Sequence, residues 1–286
     1  MKTTTLLLVA AAGLLAPAWE HVARAQAHDL HYDLPIDISV TAAATVVWGG
    51  TEALKGQLAP LACRWCESNA LDSGVRSSLR WTDHGGAAVT TSNVSAYLVA
   101  PLAGFGLLAL AAVHEGEARN IPIDFLIVAE AVALSGTFSQ LVKFTVGRQR
   151  PYARAGLPNP DSRQGKDDAN LSFFSGHTNV TFAIAAASGT VGRMRGYRWA
   201  PVVYIVGGVI GAATAYFRIA ADQHYFTDVL TGALVGSAAG VGIPYFFHRP
   251  RSTAGAPASG GPRDVSLIVT PWSVAGASGL GCTAVW

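Results

Sequence analysis

Long apolar runs separated by short polar segments dominate the second half of the chain. Five such runs lie between residues 94 and 247, at 94–113, 125–142, 178–192, 200–217 and 229–247. We interpret each run as a helix, because strands rarely extend beyond about eight residues. The pattern therefore predicts an all-α fold, a helical bundle that spans a membrane several times.

The run 178–192 is the weakest of these candidate spans. Its fifteen residues would rise only about 22 Å as a helix, whereas the hydrocarbon core of a bilayer is about 30 Å thick. An earlier apolar stretch, 38–50, is shorter still, and we do not interpret it as a span. Five crossings remain in this interpretation.

Arginine residues indicate an orientation for the bundle. They follow two of the apolar runs, and they are Arg193, Arg195, Arg198, Arg249 and Arg251. Positively charged segments tend to stay in the cytoplasm, and five crossings that begin outside place both segments inside. The same count places residues 147–177 and 218–228 together on the outer face.

The flanking regions have a different composition from the apolar core at 94–250. Lys2, the apolar run 6–15 and the sequence Ala23-Arg24-Ala25 predict a signal peptide at 1–25; a retained membrane anchor is the alternative. Residues 26–93 are then an extracytoplasmic extension. Residues 251–263 form a linker rich in Gly, Ala, Ser and Pro. The tail at 264–286 is compatible with a small β-hairpin made of 265–270 and 283–286.

Composition excludes several classes of protein. Of the 286 residues, 50% are hydrophobic and only 13% are charged, against about 25% charged in soluble domains. Disorder and coiled coils are therefore excluded, and a net charge of +2 gives no support for a nucleic-acid partner. Three cysteines exclude a disulfide-dense scaffold. Cys63 and Cys66 are equally compatible with a local disulfide and with free thiols.

Candidate chemistry falls on the predicted outer face. Lys143 and Arg150 are nearly two helical turns apart, so both side chains leave one face. The sequence Ser175-Gly176-His177 directly precedes an apolar run, and a helix N-terminus offers free backbone N–H groups to an anion. Gly176 would allow that anion to approach the backbone closely. These two clusters predict an anion-binding site.

A third cluster adds a nucleophile. Arg218 closes one run, and His224 lies one helical turn before Asp228. A carboxylate that accepts a hydrogen bond from Nδ1 fixes the tautomer of a histidine and leaves Nε2 free to attack. The three clusters together specify nine residues in order, including Pro151, so a chance match is remote.

This arrangement resembles the type 2 phosphatidic acid phosphatase family, whose fold is shared with bacterial class A acid phosphatases and vanadium haloperoxidases. The resemblance covers roughly residues 94–247. It implies a phosphatase that works through a phosphohistidine without a metal or other cofactor. It assigns His224 as nucleophile, Asp228 as its orienting acid and His177 as proton donor to the leaving oxygen. The implied phosphate-binding residues are Lys143, Arg150, Ser175, Gly176 and Arg218.

Two residues depart from the pattern of that family. Phe174 stands where proline usually precedes Ser-Gly-His, and Phe217 stands where serine usually precedes the arginine. The absence of a hydroxyl beside Arg218 changes how that arginine is held. Both departures bear on substrate preference more than on activity.

The implied substrate is a phosphorylated lipid or a small phosphate ester, cleaved at the periplasmic face of a bacterial inner membrane. A soluble periplasmic acid phosphatase with the same chemistry is the main alternative. A vanadate-dependent haloperoxidase and a non-catalytic phosphate binder are more remote alternatives. The sequence carries no signal for substrate identity or oligomeric state.

Overall fold

The computed structural model describes residues 28–161 and 168–250, together with the backbone of two strands near the C-terminus. The described helices are α1 Leu34–Ala53, α2 Lys55–Leu58, α3 Ala70–Leu79, α4 Gly85–Val94, α5 Ala100–His114, α6 Ile121–Val146, α7 Pro151–Arg154, α8 Gly176–Arg195, α9 Ala200–Ala220 and α10 Phe226–Phe247. A π-helical turn, Ser95–Val99, makes α4 and α5 continuous. The prediction of a helical bundle is confirmed.

Helix α8 lies at the centre of this bundle. It packs against α5, α6, α9 and α10, and all but one of residues 177–192 are buried. Neighbouring helices therefore surround α8. Small residues in α8 allow these helices to pack closely, so long apolar side chains are less important there. This packing explains why the run 178–192 is short and only moderately apolar.

Glycines on α10 allow its close approach to α8. A Cβ added at Gly232 would lie 2.6 Å from the carbonyl oxygen of Ser175, and one at Gly240 would lie 2.6 Å from that of Ala183. A Cβ at Gly236 would collide with the carbonyl of Asn179. Small residues four apart on one face bring helix backbones together in this way. The contact positions His224 and Asp228, at the start of α10, beside the start of α8.

The substitution Gly236→Ala tests this contact. The added methyl group has no space against the α8 backbone, so we expect the variant to lose about 1–3 kcal/mol of unfolding free energy. Gly208→Ala in α9 is the matched control, because nothing lies within 4 Å of its added Cβ. Thermal unfolding in detergent measures both; a Gly236→Ala protein as stable as the control would contradict the packing.

Four helices among the described residues are long and apolar enough to cross a membrane: Gly85–His114, Ala118–Val146, Ala200–Ala220 and Phe226–Phe247. Large apolar side chains on the outside of α5, α9 and α10 are exposed, as expected of surfaces that face lipid. They include Leu102, Leu110, Ile205, Val209, Leu234 and Phe246. These helices support a membrane protein.

The position of α1 differs from the prediction that residues 26–93 all lie at the outer end of the bundle. Near its start, the backbone N–H of His28 donates to the carbonyl of Arg195 at 3.2 Å. At its far end, Glu52 accepts a hydrogen bond from Gln140 at 2.6 Å. Helix α1 therefore runs along most of α6, and the stretch 38–50 is part of a helix of 20 residues. Residue 28 lies at the arginine-bearing end of the bundle, not at the end predicted to face outward.

Two of the arginines used for orientation are engaged in ion pairs. Arg195 is buried, and its Nε donates to Asp124 at 2.8 Å. Arg198 pairs with Glu115 at 2.9 Å. Their charges are therefore partly neutralised within the fold, which weakens them as orientation signals.

Residues 252–286 form a separate unit. Strand β1, Ser266–Val274, pairs antiparallel with β2, Ala277–Val285, with Ser266 opposite Val285. The strands are longer than those in the predicted hairpin and leave a shorter turn. The predicted signal peptide at 1–25 and the linker at 251–263 lie outside the described residues.

Candidate active site

A cavity of about 520 Å³ opens at the end of the bundle where α6 ends and α8 and α10 begin. It is lined by six of the predicted site residues: Lys143, Arg150, Gly176, His177, Arg218 and His224. The structure thus brings together groups from three separate sequence clusters. Ser175 and Asp228, the other two predicted site residues, do not line the cavity.

The ring of His224 is held in one orientation by its Nδ1 atom. Nδ1 lies 2.7 Å from the backbone carbonyl of Ser172, so this nitrogen carries the proton and donates it. Nε2 is then the unprotonated atom, and it lies 3.2 Å from a guanidinium nitrogen of Arg150. Burial, together with the nearby charges of Arg150 and Arg218, holds the pKa of His224 well below its ordinary value. The imidazole is therefore neutral and can act as a nucleophile.

Asp228 does not accept the hydrogen bond that the sequence predicted. Its Oδ2 lies 3.7 Å from Nδ1 of His224, beyond hydrogen-bond distance. The same oxygen accepts bonds from the hydroxyl of Ser172 at 2.6 Å and from the backbone N–H of Tyr225 at 2.9 Å. Asp228 therefore acts on His224 through Ser172, whose carbonyl holds the ring, and through its nearby negative charge.

Arg148 is a residue that sequence reasoning missed. It is fully buried, and it pairs with Asp72 at 2.7 Å and with Asp228 at 2.5 Å. Its guanidinium lies between the rings of Trp65 and Tyr225, at 3.9 and 4.3 Å from their centroids. The sequence offered no signal for this role, because Asp72 lies 76 residues away. Arg148 therefore links the first turn of α3 to the first turn of α10, which directly follows His224.

Removing the Arg148 side chain should destabilise the whole protein. Arg148→Ala leaves the buried carboxylates of Asp72 and Asp228 without their partner, and breaking a buried pair in this way costs about 3–5 kcal/mol. Arg154→Ala is the matched control, because Arg154 pairs with the exposed Glu67 and such a pair contributes at most about 1 kcal/mol. Thermal unfolding in detergent compares the two; equal losses would contradict the assigned role.

Four cationic side chains line the cavity; three of them are predicted site residues, and two of these three make no ion pair with any described acid. Arg150 pairs with Asp168 at 2.5 Å. Among the described residues, Lys143 and Arg218 have no carboxylate within 4.0 Å. The Nζ atom of Lys143 lies 2.8 Å from the position of a Cβ added at Gly176, so only glycine leaves room for the amino group there. The two cations leave the cavity with positive charge that an anion can neutralise.

The hydroxyl of Ser175 has a structural role in place of the predicted one. It caps α8, accepting from the backbone N–H of Thr178 at 3.5 Å and lying 3.0 Å from the Thr178 hydroxyl. The cavity therefore meets α8 at Gly176 and His177. Backbone N–H groups in this first turn have no partner within the helix and suit an anion.

His177 is held by residues that precede the recognised clusters. Its Nε2 donates to the side-chain oxygen of Asn93 at 2.6 Å, and its ring packs on Tyr97 with centroids 4.8 Å apart. Trp48, Glu52 and Lys55 also line the cavity, from α1 and the start of α2. Sequence reasoning missed all of these, because nothing in their local spacing marks them.

The two departures from the expected motif have structural consequences. Phe174 is buried against Phe138, and Phe217 packs edge-on against Trp81. Arg218, which lacks a preceding serine, donates instead to the hydroxyl of Ser92 at 3.3 Å. A hydroxyl from α4 therefore takes the place of the missing one.

Comparison with known proteins finds a similar family and a similar solved structure. Residues 124–252 match the model of the PAP2 superfamily, and all eight predicted site residues lie within that segment. A crystal structure described as the first transmembrane PAP2 type phosphatidylglycerolphosphate phosphatase, from Bacillus subtilis, is similar with a TM-score of 0.44. It is 16% identical, and the match covers 73% of this chain and 94% of that one. The segment 124–252 of this chain is therefore similar to the PAP2 superfamily.

Proposed function

We propose that this protein is a membrane phosphatase that cleaves a lipid-linked phosphate monoester or diphosphate through a phosphohistidine at His224. The observation that carries the proposal is the unprotonated Nε2 of His224, located in a cavity beside three cations. The family match supports the coarser assignment, a phosphatase. Mechanism and substrate class are our inference from the site.

In the first step, the Nε2 lone pair attacks phosphorus and forms an N–P bond while the ester P–O bond breaks. His177 acts as the imidazolium, which the bound anionic phosphate stabilises: Nε2 keeps its hydrogen bond to Asn93, and the leaving oxygen takes the proton of Nδ1. Such general acid catalysis contributes about 10²- to 10⁴-fold. Lys143, Arg150 and Arg218, with the N–H groups at Gly176 and His177, stabilise the charge on the equatorial oxygens. The Asp228 carboxylate, 3.7 Å from Nδ1, offsets the positive charge that the ring gains.

In the second step, water attacks phosphorus and the P–N bond breaks. His177 accepts the proton from this water, which returns both histidines to their initial states and releases inorganic phosphate. Because side-chain cations supply the electrostatic stabilisation, the chemistry requires no metal at the phosphate.

The surroundings of the cavity favour a lipid-linked substrate. Apolar side chains, including Trp48, Tyr97 and Val180, line it together with the charged groups. The outward apolar side chains of α5, α9 and α10 support membrane insertion over the soluble periplasmic alternative. A lipid headgroup could then enter from the membrane surface.

A disulfide supports the orientation of the site toward the periplasm. Cys63 and Cys66 are bonded, and the intervening Arg64 donates to the carbonyl of Thr145 at 2.7 Å, at the site end of α6. Disulfides persist in oxidising compartments. This orientation places His28 on the cytoplasmic side, whereas export and cleavage after Ala25 would leave residue 28 outside.

A substrate panel tests the proposal. The full chain, purified in detergent with EDTA present, is incubated with phosphatidic acid, an isoprenyl diphosphate and small phosphate esters, and released phosphate is measured. We expect turnover, with lipid substrates preferred. Absence of phosphate release from every substrate would overturn the proposal, and activity in a detergent-free periplasmic extract would favour the soluble alternative.

The pH dependence of kcat/KM checks the state of His224. Because its pKa lies well below the ordinary value of 6.5, the nucleophile stays neutral as pH falls through that value. We therefore expect no loss of kcat/KM between pH 7 and about 5.5 that is attributable to an ordinary imidazole. A single-proton decline centred near 6.5 would contradict this environment.

A further inference from the structure

Three buried residues of types that can bind a metal ion lie close together near the end of the bundle opposite the cavity. Asp37 comes from the first turns of α1, Glu130 from α6 and His248 from the residue after α10. Their ligand atoms all lie within 4.8 Å of one another. Each residue is at least nine-tenths buried.

Two of these ligand atoms are buried and make no hydrogen bond. They are Oε2 of Glu130 and Nε2 of His248, which face each other at 3.5 Å. The other ring nitrogen of His248, Nδ1, lies 3.1 Å from the carbonyl of His31 and donates to it. A backbone carbonyl on one nitrogen and a free lone pair on the other is the usual arrangement of a histidine that binds a metal.

The charge balance of this cluster calls for a cation. Within residues 28–161 and 168–250, neither Asp37 nor Glu130 has an arginine or lysine within 4.0 Å. Asp124, also on α6, differs in that Arg195 pairs with it at 2.8 Å. Two buried carboxylates without such a partner are costly, and a protonated His248 would offset only one of them. A divalent cation would neutralise both.

We propose that Asp37, Glu130 and His248 bind a divalent transition-metal cation, Zn²⁺ or Mn²⁺. One imidazole nitrogen with two carboxylates is a donor set that suits these ions. The ion would fasten α1 to α6 and to the end of α10, since each element supplies one ligand. Glu130 and Lys143 are 13 residues apart on α6, about 20 Å along the helix, so this site is separate from the phosphate cavity and its role is structural.

Metal content and thermal stability test the proposal. The full chain in detergent is stripped with EDTA, dialysed and loaded with ZnCl₂, MnCl₂ or MgCl₂ before the bound metal is quantified. We expect one Zn²⁺ or Mn²⁺ per chain and a higher Tm for the loaded protein, because a ligand that binds only the native state stabilises it. Glu130→Gln and His248→Gln should each weaken metal binding at least about tenfold.

Asp29→Asn removes an exposed acid at the same end of the bundle and should leave metal binding unchanged. If wild-type protein binds no stoichiometric metal and its Tm is the same with EDTA and with each salt, the cluster is a plain His248–Glu130 ion pair and the proposal is wrong. If a variant fails to fold, the metal content of the wild type and the visible absorption of its Co²⁺ form test the proposal instead. Phosphate release in EDTA is measured separately, so a failure of the proposed phosphatase activity can be distinguished from a failure of the proposed metal site.

Discussion

The substitution His224→Ala should lower kcat for every phosphate ester by about 10⁴-fold or more, because it removes the nitrogen that forms the N–P bond. The expectation depends on the geometry of one ring: Nδ1 donates to the Ser172 carbonyl, which leaves Nε2 unprotonated in the cavity. Loss of the nucleophile should affect alkyl and aryl esters equally. Phosphate release measured on the purified variant checks this.

A phosphoenzyme experiment gives an independent readout. Rapid quenching of wild-type protein with radiolabelled substrate should trap an acid-labile, base-stable label, and His224→Ala should trap none. His84→Ala is the matched control, because His84 is exposed at the start of α4 and its side chain makes no capping bond. Label retained in His224→Ala would reassign the nucleophile.

The residues that sequence reasoning located share a property: their relation is set by local spacing at helix ends. Lys143 and Arg150 are seven residues apart, and His224 and Asp228 are four apart. The chain therefore keeps each pair close, although Arg150 and His224 lie just outside α6 and α10. The topology of alternating helices then brings the ends together at one cavity. Composition and motif order were sufficient for this part of the site.

The residues that were missed depend on contacts between distant segments. Asn93 reaches His177 across 84 residues, and Asp72 reaches Arg148 across 76. The hydrogen bond of His224 likewise goes to a backbone carbonyl 52 residues away in place of the nearby carboxylate. Any backbone carbonyl can accept such a bond, so no residue type marks the one that does.

The packing of α1 was missed for a related reason. The apolar stretch 38–50 has thirteen residues and was interpreted as too short to span, whereas α1 extends over 20 residues. Its inner face packs on α6, where Trp48 lies against Gly136. Only Asp37 and Ala44 of α1 are buried, so α1 lies on the outside of the bundle, unlike α8. Trp48 and Gly136 are far apart in sequence, so local hydropathy does not reveal this contact.

The second large effect concerns the leaving group. His177→Ala should lower kcat for alkyl phosphates, such as phosphatidic acid, by about 10²- to 10⁴-fold. An alkoxide is a poor leaving group that needs a proton, whereas a nitrophenolate departs without one. We therefore expect turnover of an aryl phosphate to fall by no more than about tenfold. The ratio of the two kcat values, variant over wild type, is the measurement.

Asn93 provides a second variant for this prediction, because its side chain holds the ring of His177. It accepts from Nε2 at 2.6 Å, so its removal lets the ring turn but keeps the proton donor. Asn93→Ala should show the same preference for aryl over alkyl esters at a smaller magnitude, and His114→Ala, exposed at the end of α5, should show none. If His177→Ala slows both ester classes equally, the assignment of His177 as the acid is wrong, and its role is to bind phosphate. The proton on the leaving group must then come from the substrate or from water.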